Sequence, residues 1–72
     1  MKIRREVIEQ MMGDVALNAK IQIVMGVSSS SVYRWIRKNN VMLTTSDVVR
    51  VICEHFKITQ DDLFEPVKHI QV

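Results

Sequence analysis

Residues 18–37, NAKIQIVMGVSSSSVYRWIR, decide the fold. Ile21, Val24 and Met25 share one face at helical spacing, and Val32, Trp35 and Ile36 recur at the same spacing further on. Gly26-Val27 interrupts the two runs. The pattern predicts two helices meeting at a steep angle across a turn of three or four residues. Such a turn needs a residue that accepts positive φ, which Gly26 supplies. Val27 is placed to plug the gap between the helices, with Ile21 and Met25 presented to Val32 and Trp35. Ser28 follows as an N-cap whose hydroxyl can accept a backbone N–H two or three residues on. A glycine followed by a valine says little, but six fitting positions in one window say much more.

Upstream, Ile3, Val7, Ile8, Met11 and Met12 form one face of a helix over residues 2–12. Lys2, Arg5, Glu6, Glu9 and Gln10 turn to water, and Gly13-Asp14 is the expected stop. The second helix begins either just after Asp14 or with Asn18 as its cap. Downstream, Asn39-Asn40 ends the third helix, and Val41 and Leu43 are expected to tie down the connection. Thr44 and Asp47 read as a reciprocal cap for a fourth helix running to Phe56. Its wet stripe is Asp47, Arg50, Glu54 and Lys57, and its apolar stripe Val49, Ile52, Cys53 and Phe56. Thr59 and Asp62 repeat the capping pattern for a short fifth helix carrying Leu63 and Phe64 before Pro66. The expectation is an all-α, compact five-helix bundle without strands, residues 1–65 forming the domain and 66–72 a tail.

Composition limits what such a chain can be. Its 72 residues make one small domain, 47% hydrophobic and 25% charged, a globular balance. No apolar run approaches the roughly 18 residues of a membrane span, and the charged N-terminus lacks a signal peptide's apolar stretch. The lone Cys53 cannot form an internal disulfide. A cytoplasmic location is therefore expected. The net charge of +2 is weak support for a nucleic-acid partner, so the placement of the charges matters more. Arg34, Arg37 and Lys38 put three cations on the third helix, and no acid lies between Lys20 and Asp47.

The chain resembles the lambda-repressor and Cro type of helix-turn-helix domain, found in small phage repressors and related bacterial regulators. The resemblance is carried by the turn and by LTTSDVVRVICEHFKITQDDLFE, where Leu43, Val49, Ile52, Phe56, Ile58, Leu63 and Phe64 occupy that family's apolar places. The first helix matches only by type. One position departs: where the family usually carries alanine, four residues before the turn glycine, this chain has Gln22. A glutamine there must bend outward or loosen the contact between the helices. The resemblance implies that the third helix enters the major groove of double-stranded DNA and that its early exposed residues reach base edges. Those are Ser29, Ser30, Tyr33 and Arg34, with Arg34 able to bond O6 and N7 of a guanine together. Asn18, Lys20, Ser28, Arg37, Lys38 and Asn39 fall where the family touches phosphates.

Plainer readings stand beside these. Trp35 reads as core, and Tyr33 equally as groove contact or surface. Cys53, His55 and the distant His69 lack metal-ligand spacing, so Cys53 reads as a small core residue and His55 as surface or interface. The five methionines read as gap-fillers. No catalytic constellation, cofactor motif or small-molecule site is evident, and an enzyme is not expected. Val48 and Val51, with His55 a turn on, make the fourth helix's apolar face wider than one core needs. Val67, Ile70 and Val72 make the tail apolar, and together these features predict a homodimer through the C-terminal half. The expected activity is sequence-specific DNA binding as a transcriptional regulator, in the manner of a phage or mobile-element repressor. The rivals are a protein-interaction module of antirepressor or antitoxin type that has lost DNA binding, and an architectural DNA binder of excisionase type.

Overall fold

In the computed structural model, which describes residues 2–65, the chain runs through five α-helices. They are α1 (Arg5–Met12), α2 (Val15–Met25), α3 (Ser29–Lys38), α4 (Ser46–Phe56) and α5 (Gln60–Leu63), with a 3-10 turn at Val41–Thr44 between α3 and α4. The described residues contain no strand, only an isolated antiparallel bridge between Ile3 and Phe64. No helix among them is long and apolar enough to cross a membrane.

Each boundary has a local cause. Asp14 caps α2, its carboxylate accepting from the Leu17 N–H at 3.0 Å, so the helix begins at Val15 and Asn18 lies inside it. Gly26 ends α2 in the left-handed region at φ 65°, and the Gly26 and Val27 N–H groups both return to the Gln22 carbonyl. Ser28 caps α3, accepting from the Ser31 N–H at 3.3 Å. Asn39 closes α3 at φ 49°. Thr59 caps α5, accepting from the Asp62 N–H.

The core draws on every segment. Ile8 and Met11 of α1, Leu17 and Ile21 of α2, and Val32 and Ile36 of α3 are buried together with Leu43, Val48, Val49, Ile52 and Leu63. Met25, Val27 and Phe56 pack against them half-buried, as does Trp35, which belongs to the core side of α3. Among the described residues no polar or charged residue is buried. Each such aliphatic side chain removed from water stabilises the fold by about 1.5–3 kcal/mol.

Four expectations change. The first helix does not start at residue 2. Residues 2–4 run extended against 63–65, through Arg4 N–H to the Leu63 carbonyl at 2.8 Å and Glu65 N–H to the Lys2 carbonyl at 2.9 Å. Ile3 is buried from this extended segment, not from a helix face. Thr44 and Asp47 do not cap α4. Thr45 is the N-cap and makes no side-chain cap bond. The 3-10 turn takes the hydroxyls instead, Thr44 donating to the Val41 carbonyl and Thr45 to that of Met42. Leu43 alone anchors the connection, because Val41 faces solvent. Finally, Val48 is fully buried within its own chain, so it does not widen an outer apolar face. Pro66, Val67, Ile70 and Val72, and the dimer contact expected of the tail, lie outside the described residues; α5 itself already ends at Leu63.

The two glycines offer a contrast. A Cβ added to either meets nothing within 4 Å, but only Gly26 has positive φ, while Gly13 sits at φ −96°. Gly26→Ala is expected to lose about 1–2 kcal/mol from the left-handed strain alone. Gly13→Ala is expected to gain about 0.4–1 kcal/mol by restricting the unfolded chain. Urea midpoints of the two variants check this, and equal shifts would remove the turn's conformational demand as the reason for Gly26.

Candidate nucleic-acid interface

With Val32 and Ile36 buried and Trp35 half-buried, α3 is left with two exposed rows at four-residue steps. One row is Ser29, Tyr33 and Arg37; the other is Ser30, Arg34 and Lys38. All six line an open groove whose opposite wall is the start of α2, with Asp14, Val15, Asn18, Ala19 and Gln22, and Met12 at its end. The four residues expected to read bases are thus brought together, and Arg37 and Lys38 extend the same surface by one turn. Ser28 sits exposed at the amino end of α3, beside N–H groups that have no partner within the helix.

Asn18 ties the two walls. Its Oδ1 accepts from Gln22 Nε2 at 2.7 Å, and its Nδ2 donates to the Ser29 carbonyl at 3.4 Å. Gln22 is therefore bent back along the groove face of α2, as its size demands, and its amide braces Asn18. The groove's cations face little opposition. Among the described residues Asp14 is the one carboxylate lining it, and its Oδ2 lies 2.7 Å from His55 Nε2. Among the described residues Arg34, Arg37 and Lys38 make no ion pair.

Two expected phosphate contacts are placed elsewhere. Lys20 is two residues beyond Asn18, about 200° round the helix, and is turned away from the groove. Its Nζ reaches Nδ1 of His55 on α4 at 3.0 Å. Asn39 is half-buried and faces inward, its Nδ2 donating to the Ile3 carbonyl at 3.0 Å, which fastens the end of α3 to the N-terminal segment. Sequence reasoning placed only Asn18 of the opposite wall at the interface and missed the rest. Val15 and Ala19 stand three residues before and one after Asn18, a spacing that places them only once the start of α2 is fixed. The Asp14–His55 contact spans 41 residues and leaves no local signal. Nor do the described residues contain three His, Cys, Asp or Glu side chains grouped to hold a metal ion.

The groove's rim carries a measurable charge. The Leu17 N–H first, and then the hydrogen bond from His55, hold the Asp14 carboxyl below its ordinary value of 3.8. A carboxyl depressed by folding stabilises the native state above its unfolded value, and that stabilisation is lost as pH falls through the folded one. The gap in melting temperature between the parent and Asp14→Asn is therefore expected to be open at about pH 5 and to close as the pH drops below 3.8. A gap independent of pH would show that the charge on Asp14 is not what caps α2.

No protein-family model, curated protein or solved structure matches this chain, so what the groove takes is read from its own shape and charge.

Proposed function

We propose that the chain is a sequence-specific double-stranded DNA-binding regulator of the lambda-repressor and Cro type, with α3 inserted in the major groove. The observation that supports this reading most is the clustering on one side of α3 of two serines, a tyrosine and three cations that make no ion pair among the described residues, beside a bracing asparagine. Such a surface suits a polyanion that also presents hydrogen-bonding edges. Short serines at the amino end let the helix approach closely, while Arg34 one turn on offers a planar fork to guanine. Arg37 and Lys38, in the last turn, are left for phosphates. Asn18 acts by holding α2 to α3, and the backbone N–H groups after Ser28 supply further phosphate donors. The activity proposed is repression or activation at a promoter, with no chemical step.

A second reading has one observation in its favour. Val15 on the α2 wall is 82% exposed and Met12, the last residue of α1 at the groove's end, 38%, which gives the groove an apolar side that a protein partner would cover. Selection from random duplex DNA at low salt separates the two. Recovery of a consensus supports the regulator, whereas absence of duplex binding removes it in favour of the protein partner.

Roles within the surface are separable by mutation. Arg34→Ala is expected to lose roughly 1–3 kcal/mol on the selected site and to relax preference at one base pair. Lys38→Ala is expected to weaken all sequences about equally and to flatten the log–log salt slope by about 0.9. Titrations of both variants on selected and random duplexes check this, and identical behaviour would reverse the division between reading and positioning.

A further inference from the structure

α2 is apolar almost all the way round, VALNAKIQIVM, yet only Leu17 and Ile21 are buried. Ile23 is 83% exposed and Val24 41%. On the side of α2 away from α3, these two residues form a second groove with Val51 of α4, bounded by Lys20 on the α2 wall and Glu54 on the α4 wall. The two grooves have no residue in common.

The charge pattern of this second groove identifies what fits it. One cation and one anion stand on facing walls of an apolar floor, so the surface is complementary to itself. A two-fold axis running along the groove lays α2 of one copy against α4 of the other. Lys20 then meets Glu54 of the second copy, and the reverse contact follows by symmetry. Among the described residues neither Lys20 nor Glu54 has an ion-pair partner in its own chain. Lys20 Nζ donates to the Nδ1 of His55, which leaves two of its three N–H donors for a carboxylate. We propose that the α2–α4 groove is the contact surface of a symmetric homodimer, sealed by Ile23, Val24 and Val51 and oriented by reciprocal Lys20–Glu54 pairs. The arrangement leaves the α3 groove of both copies open. It does not rest on DNA binding.

The patch is small, so the dimer is expected to be weak, with dissociation in roughly the micromolar range. Sedimentation velocity of the full chain across that range should show a reversible monomer–dimer equilibrium. Ile23 is exposed, so Ile23→Asp should keep the parent's helical circular dichroism while raising the dissociation constant about tenfold or more. Glu54→Lys should weaken the dimer by setting two cations opposite each other, and adding Lys20→Glu to it should restore association towards the parent. A chain that stays monomeric throughout overturns the proposal. So does a dimer insensitive to Ile23→Asp, or one abolished by removing residues 66–72 while Ile23→Asp leaves it intact. No duplex is present in these measurements, so failure of the dimer and failure of the DNA reading are distinguishable.

Discussion

The reversal at Gly26 sets the rest of the molecule. At φ 65° the backbone turns where an L side chain would be strained, and the Gln22 carbonyl receives the N–H groups of both Gly26 and Val27. The last turn of α2 is thereby closed tightly, Val27 is drawn half-way into the core, and α3 starts with Ser28 already in its capping position. Because the turn is short and internally bonded, the direction of α3 relative to α2 is fixed by covalent geometry and by Val32 and Ile36 packing inward. Which residues of α3 then face outward follows without further instruction. Two rows at four-residue steps remain, and they stand against the first half of α2.

A domain this small has few ways to hold its ends, and this one uses backbone pairing where a longer core would not need it. The extended 2–4 segment bonds to 63–65 on both sides of the Ile3–Phe64 bridge, and the Asn39 amide fastens the end of α3 to the same segment. Three stretches distant in sequence are thus joined at one end of α3 through main-chain carbonyls. Asn39 serves this junction twice, adopting the left-handed conformation that ends the helix and donating its side-chain N–H inward. A residue so engaged has little left to offer a ligand, which is why a polar side chain at a helix end cannot be assigned a binding role from its position alone.

What was legible in the sequence was what a single helix decides. The limits of α3, its cap at Ser28 and the burial of Val32 and Ile36 follow from spacing and turn chemistry, because α3 is sharply divided between apolar and polar faces. α2 lacks that division, so its start remained ambiguous until Asp14 was seen to cap it. The wall it contributes to the groove was missed for the same reason. Lys20 illustrates the limit most clearly. The family resemblance placed it with the phosphate contacts beside Asn18, but a helix carries a residue two positions on to nearly the opposite side, where it meets His55. Val48 is the converse case: it looks surplus on a helical wheel of α4 alone, and is absorbed into the core of its own chain once the helices pack.

The apolar excess of α2 follows from its position between two grooves. A helix with one buried face ordinarily presents polar residues outside. Here Val15 and Ala19 border the groove shared with α3, while Ile23 and Val24 border the groove shared with α4. Electrostatics sorts the two. The α3 side carries Arg34, Arg37 and Lys38 against one carboxylate that is already bonded to His55, so two copies of that surface repel each other and a polyanion is attracted. The α4 side carries Lys20 and Glu54 in balance, so it offers a polyanion no net attraction and a second copy no net repulsion. Hydrophobicity makes both flanks of α2 adhesive, but charge sets what each suits, and on the two proposed readings it directs phosphates and a second copy of the chain to different sides of the same helix.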